Sequence, residues 1–285
     1  MKKFLFLYFV LFTMITSCDI IDNPIVDYGI GYREDLYGSA PTFGPATNSW
    51  RNVLLEDFTG HDCGNCPDAH VVADEILANN PGRVAVVSIH AGPLAEPLLP
   101  DFPNDYRTTE GEFYFAQLSF QVNPIGRVSR EGGASNIWSH AQWTAEAINQ
   151  MNDAPAVVLQ MELDMDTVLG NLNIHVYDQW LQASSGNQNL VLLITEGPII
   201  GPQLEYTPEA IIHEDYEHKH MLRAAISGPD GLSIANSPVQ GEAGTSSYTY
   251  EWNSNWKWGK SYVVAFVVNA SNGEVLNVIE KKIYE

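Results

Sequence analysis

Cys63 and Cys66, two residues apart in the stretch LLEDFTGHDCGNCPDAH, are the side chains of this sequence whose types and spacing suit reversible covalent chemistry. Thiols at that spacing can close a disulfide or supply half of a metal site. A crosslink across two intervening residues constrains little unfolded chain, and stabilisation by a disulfide grows with the loop it closes. As a staple the pair is weak, and exchange chemistry explains it better. Asp57 lies six residues before Cys63, where a carboxylate can take and return the proton of Cys66 during exchange. Pro124, in VNPIGRVSR, completes the candidate set: a cis proline there leaves neighbouring backbone free to dock an extended thiol substrate.

Regular elements have to position these groups. Residues 52–58 predict a buried strand, the turn TGHD follows, and a helix runs to about residue 80 with Val71, Val72, Ile76 and Leu77 on its apolar side. The sequence NPG stops that helix, and residues 84–90 give a second apolar strand. The order strand, CxxC, helix, strand is a βαβ unit whose strands should be parallel. Cys63 is then expected at the helix N-terminus, exposed, where free N–H groups and the dipole favour a thiolate. Cys66, one turn on, is expected to be the resolving thiol. A Pro-rich loop over 91–110, a short helix in GEFYFAQLSF, a third strand over 122–130 and an amphipathic helix over 139–151 complete this half. That last helix should turn Trp143, Ala147, Ile148 and Met151 inward. No fourth strand is legible between Arg130 and Ser139.

After NDAP the period changes. VVLQMELDMD alternates Met161, Leu163 and Met165 with Glu162, Asp164 and Asp166, a half-buried strand with an acidic outer face. Six further strands are expected over 172–178, 190–195, 220–226, 248–252, 262–268 and 275–283. Seven short strands with Gly, Asn, Pro and Ser turns and no helix-period stretch argue for a β-sandwich. Residues 199–217 read as a long excursion between two strands.

The chain begins MKKFLFLYFVLFTMITSC: two lysines, an apolar run, small residues and a cysteine. That is a signal segment over residues 1–17, with Cys18 placed for lipidation before cleavage. Nothing later in the sequence is long and apolar enough to span a bilayer. The formal charge is −21, becoming about −23 once the two leading lysines are removed. Too little positive charge remains to neutralise phosphates, which argues against nucleic acid, and an anionic lipid surface is disfavoured beyond the acyl anchor. The exported compartment permits disulfides.

Strand, acid, C-x-x-C, helix, strand and a later proline before a strand resemble the thioredoxin fold. More narrowly, EDFTGHDCGNCPDAH, VNPIGR, a β-rich second half and YEHKHMLRA resemble the Bacteroidetes outer-membrane lipoproteins named for a twenty-eight-kilodalton outer-membrane protein. The resemblance implies an α/β thioredoxin-like domain followed by an all-β immunoglobulin-like sandwich on a lipid anchor at the outer membrane. The expected organisation is a signal segment over 1–17, a tether over 18–50, the thioredoxin-like domain over 51–153 and the sandwich over 154–285. Two departures bear on the redox pair. Asp62 stands where thioredoxin-like enzymes commonly have an aromatic, and its charge opposes a thiolate at Cys63. Pro67 removes an early helical donor, leaving the Cys63 carbonyl short of a partner. Both point to a pair more reducing than a strong oxidant.

Other constellations have bland readings beside functional ones. His61, His70 and His90 surround the cysteines and could complete a copper or zinc site, or be surface histidines. His218 and His220, with His213 or Glu214, could bind a divalent ion, or lie on a solvated strand edge. The tryptophans of EWNSNWKW suit core packing, or an exposed turn that binds glycan or protein. No cofactor or metal is expected. Two functions follow from this. One is membrane-anchored thiol–disulfide exchange on exported proteins: Cys63 attacks, Cys66 resolves, Asp57 relays the proton and Pro124 shapes the groove. The other is a surface binding or adhesion lipoprotein with a permanently closed, structural disulfide.

Overall fold

The computed structural model describes residues 31–284; the signal segment and Cys18 lie outside the described residues. A short helix α1 (Glu34–Tyr37) precedes β1 (Val53–Thr59), α2 (Cys66–Asn79) and β2 (Val84–His90), followed by α3 (Thr109–Ala116), β3 (Ile125–Val128) and α4 (His140–Met151). Ten strands complete the chain: β4 (Val157–Asp166), β5 (Asn171–Trp180), β6 (Asn187–Glu196), β7 (Ile199–Tyr206), β8 (Ala210–His218), β9 (Met221–Ala225), β10 (Leu232–Asn236), β11 (Ala243–Glu251), β12 (Ser261–Asn269) and β13 (Val275–Lys282). The first half is thus an α/β unit of thioredoxin-like arrangement and the second an all-β sandwich.

The expected βαβ unit is present. β1 and β2 pair in parallel from Val53↔Val84 to Thr59↔His90, and β3 runs antiparallel on the other side of β1. A fourth strand is reduced to one residue: Gly126 and Trp138 exchange both backbone hydrogen bonds, at 3.0 and 2.8 Å. Trp138 therefore occupies the place where periodicity gave no strand, because a single bridge leaves no alternating pattern to read.

The two halves share one sheet. Its path is β13-β12-β6-β9-β2-β1-β3, with β10 also on β6. The join is narrow: Ser88 of β2 stands opposite Met221 of β9, and the Ser88 amide donates to the His220 carbonyl at 2.8 Å. Strand alternation then divides the side chains between layers. On one face Leu54 and Phe58 of β1 join Val191, Leu193, Val264 and Phe266 under Tyr114 and Phe115 of α3. On the other, Val53 and Leu55 pack with Ala69, Ala73 and Ile76 of α2 and Trp143 and Ala147 of α4. Further along that sheet Leu190, Leu192 and Ile194 meet Leu172, Ile174 and Trp180 of the three-stranded sheet β11-β5-β4. Two inward assignments fail. Val71 of α2 and Ile148 of α4 are exposed, since each helix needs only a narrow stripe to cover one edge of a short sheet.

A buried ion triad ties β3 to β1. Both guanidiniums, of Arg127 and Arg130, donate to Glu56 Oε1 at 2.7 Å, and Arg130 Nε donates to Oε2 at 2.9 Å. The Arg130 guanidinium also lies over the rings of Tyr114 and Phe266, 4.8 and 5.2 Å from their centroids. Along the outside of the small sheet, part of the segment before β1 is held by side chains: Phe43 stacks on Tyr177, and Gln160 donates to the Gly44 carbonyl at 2.8 Å.

The excursion over 199–217 is the largest departure from expectation. It is a β-hairpin, β7–β8, forming a two-stranded sheet of its own. Residues 199–217 carry no strand signature because burial does not alternate along them: Gly201, Pro202 and Gln203 of β7 are buried in succession, and in β8 only His218 is.

Candidate active site

Cys63 and Cys66 form a disulfide with Cα atoms 5.4 Å apart. The helix begins at Cys66, with Asn65 as its N-cap and Pro67 in its first turn. Cys63 therefore lies in the turn before the helix, three residues ahead of its first residue rather than at its N-terminus, and the Cys66 amide donates to the Cys63 carbonyl at 3.1 Å. The expected exposure is overturned as well: Cys63 is 2 % and Cys66 0 % exposed.

The reason is the β7–β8 hairpin, which lies along the CxxC turn. The Leu204 amide donates to the His61 carbonyl and the Tyr206 amide to the Gly64 carbonyl, both at 2.8 Å. Just before Leu204, Gln203, fully buried, turns its side-chain amide into the turn and donates to the carbonyls of Gly60 at 3.2 Å and Cys63 at 3.1 Å. The Cys63 carbonyl, expected to lack a partner because of Pro67, thus receives two donors. On the opposite flank the Asp62 amide donates to the Leu94 carbonyl at 3.0 Å, so the loop after β2 forms a second wall.

Asp57 is at the end of β1, fully buried, with no hydrogen-bond partner for either carboxylate oxygen. Burial alone drives its pKa up to about 8, so the carboxyl carries its proton at neutral pH. Its nearest ionisable neighbour is His70 of α2, whose Nε2 lies 3.5 Å from Asp57 Oδ2 and 2.9 Å from Thr59 Oγ1. The other ring nitrogen, Nδ1, is 2.7 Å from the Tyr216 hydroxyl on β8. Burial first, then the nearby His218, lowers the His70 pKa to about 4. His70 therefore bridges the strand bearing the acid and the covering hairpin, and both it and Asp57 are uncharged at neutral pH.

The histidines expected at the surface are largely interior. His61 is buried, stacked on Phe102 at 5.1 Å, with Nε2 3.0 Å from the Glu96 carbonyl oxygen. His90 is buried at the end of β2 with neither ring nitrogen partnered. His218, expected on a solvated edge beside His220, is buried at the end of β8, 5.3 Å from His90 and 5.1 Å from Tyr106 between ring centroids. His70, His90 and Asp57 line a cavity of about 40 Å³ closed by Tyr216, His218 and His220; His61 stands outside it. Among the described residues no group of three or more His, Cys, Asp or Glu side chains is arranged to hold a metal ion.

Pro124 follows a cis peptide bond and directly precedes β3. Because Ile125 stands opposite Phe58, the proline is at the same end of the sheet as the CxxC turn. Trp252 is buried, with its indole N–H donating to the Trp256 carbonyl at 3.1 Å, so core packing is its role. Sequence reasoning missed Gln203, Leu204, Tyr206 and Tyr216, all on the hairpin. Their one legible signal was the CxxC turn itself, whose early carbonyls needed donors from somewhere.

A thioredoxin-like α/β unit with a disulfide at its strand–helix turn, sharing a sheet with an immunoglobulin-like sandwich, defines a class of two-part proteins. Within it, residues 113–285 match the family described as outer membrane protein Omp28, and the chain belongs to that family and to the outer membrane. The match begins beyond the cysteines. Among solved structures the chain is similar to HBP35 of Porphyromonas gingivalis, with 18 % identity, a TM-score of 0.60, and coverage of 83 % of this chain and 76 % of that one. It is also similar to protein AGR_C_4864 of Agrobacterium tumefaciens, with 12 % identity, a TM-score of 0.50, and coverage of 82 % and 95 %. At these identities the likeness concerns the fold. No curated protein matches the chain.

Proposed function

We propose that the protein is a lipid-anchored thiol–disulfide exchange protein acting on thiols and disulfides of exported proteins, tethered through Cys18. The observation that carries this reading is Asp57, a buried carboxyl with no partner, on the strand that leads into the turn of the disulfide. An orphaned buried acid costs stability, and a structural staple has no use for one. Exchange does. When the thiolate of a client attacks the Cys63 sulfur, the Cys63–Cys66 bond breaks and the Cys66 sulfur leaves as a thiolate, which takes the Asp57 proton. A second client thiolate then displaces Cys63, closing the client disulfide and leaving the pair as dithiol. In reverse, the Asp57 carboxylate removes the Cys66 proton so that Cys66 attacks the mixed disulfide and releases the reduced client. His70 stands 3.5 Å from that carboxyl without a hydrogen bond to it. Pro124, at the same sheet end, lines the edge where the client docks.

Burial of both cysteines favours a second reading, a binding lipoprotein whose disulfide stays closed. Mixed-disulfide trapping separates the two. Cys66→Ser leaves Cys63 without its resolver, and on exchange it captures exported proteins as reductant-sensitive adducts. Absence of adducts, together with resistance of the wild-type disulfide to dithiothreitol, decides for the binding lipoprotein.

A further inference from the structure

The hairpin that covers the cysteines does so in the manner of a ligand. β7 offers two amides two residues apart, Leu204 and Tyr206, to two carbonyls of the CxxC turn, His61 and Gly64. The acceptors stand three residues apart in a turn and form no ladder with β7, but the recognition is main chain to main chain, as when an extended segment docks on exposed backbone acceptors. The side chain between those amides' residues and the turn, Gln203, fills the remaining acceptors of Gly60 and Cys63. Beyond this edge the hairpin is held by the His70–Tyr216 hydrogen bond and the Lys219–Asp74 ion pair, but other groups beneath it are left unpaired. Asp57 and His90 are buried in the interface without partners, and a cavity of about 40 Å³ remains between body and hairpin. A two-stranded hairpin has little stability of its own, and these orphaned groups recover hydrogen bonds with water when it lifts.

We infer that β7 is a built-in stand-in for an extended polypeptide client: the backbone edge from His61 to Gly64 is the client-docking edge, and the hairpin holds it until displaced. The partner this edge fits is a polypeptide segment in extended conformation, recognised through its backbone amides, with its cysteine brought to Cys63. The inference deepens the exchange reading and rests on it for the identity of the partner. Occupancy of the edge is tested without any client.

The measurement is the rate at which dithiothreitol reduces Cys63–Cys66 in the full chain. The double variant Leu204→Pro/Tyr206→Pro removes both donated amides, and Gln203→Ala removes the side-chain donor with less risk to folding. Both are expected to be reduced faster than wild type, the double variant on the order of tenfold, with amide-exchange protection in β6 and β12 unchanged. A synthetic peptide of residues 199–207, added in trans, should slow reduction of the double variant back toward the wild-type rate. Equal reduction rates in wild type and both variants, or a peptide without effect, overturn the inference. A failure here leaves the trapping result standing, and absent trapping leaves the covered edge standing.

Discussion

The ring of Tyr206 occupies the space a side chain on Gly64 would need: a Cβ at Gly64 would lie 2.5 Å from that ring. The contact is with the base of the ring as well as its edge, so the whole side chain has to turn away. Gly64→Ala is therefore expected to loosen the hairpin from the CxxC turn. A loss of about 1.4 kcal/mol in docking makes the open form tenfold more populated, within the range typical of overpacking. Amide exchange at Leu204 and Tyr206 should accelerate accordingly while β12 stays protected. Adding Tyr206→Ala should restore part of the protection, because the clash is then gone.

Asp57→Asn should stabilise the protein, increasingly so with rising pH. The carboxyl has an ordinary pKa of 3.8 and about 8 in the fold. Its protonated form is the one the fold favours, so its contribution is complete below pH 3.8 and is lost as pH rises through 8. Asparagine does not titrate. The advantage of the variant grows across that window and levels off above it, with an upper bound on the order of 6 kcal/mol. Urea unfolding at pH 5, 7 and 9 measures it. A gain that is the same at all three values contradicts a buried neutral Asp57. In the same variant the rate of exchange should fall, so stability and turnover move in opposite directions.

The sequence disclosed the βαβ unit, the CxxC turn, the helix at 140–151 and the alternation of β4 because each is local: period, punctuation and spacing lie within one short window. It did not disclose the cover. The pairing of Leu204 and Tyr206 with His61 and Gly64 joins segments about 140 residues apart, and nothing in either segment announces the other. The same is true of Glu56 with Arg127 and Arg130, and of His90 with His218. Histidine and tyrosine suit surface and interior alike, so their spacing alone could not say that these rings would be enclosed. Reading Cys63 as exposed followed the habit of an open thioredoxin-like groove and failed because this chain supplies its own strand to fill it.

Acid should lift the hairpin. His70 and His218 both have pKa values lowered to about 4 by burial, from an ordinary 6.5. The closed form favours neutral rings, so closure is fully supported above pH 6.5 and loses that support as pH falls toward 4. Around His218 stand His90, Tyr106 and Tyr216, and around His70 stand Asp57 and Tyr216. Asp57 works the other way over the same range, so the effect is cleanest in the Asp57→Asn background. There, reduction by a phosphine should be severalfold faster at pH 5 than at pH 7.5, after correction with a small model disulfide. Adding His218→Phe should flatten the profile. A profile that the phenylalanine leaves unchanged means that the histidines do not sense closure.

Glu56 is a position where the fold tolerates little change. Its carboxylate is fully buried and holds two guanidiniums, of which Arg127 is fully buried and Arg130 nearly so. The paired arginines outweigh burial and keep Glu56 ionised, its pKa below the ordinary value. Glu56→Gln keeps the volume but leaves two positive charges with no counter-charge on β1. Breaking a buried pair in this way costs about 3–5 kcal/mol, whereas an exposed ion pair such as Lys219–Asp74 should cost under about 1 kcal/mol. The midpoint of urea unfolding should drop sharply for Glu56→Gln and barely move for Asp74→Asn. Because Arg130 also lies on Phe266 of the sandwich, the loss should appear in both halves at once, as a single transition shifted to lower urea. A variant in which the CxxC half melts first while β6 and β12 stay protected would show that the triad secures only β3.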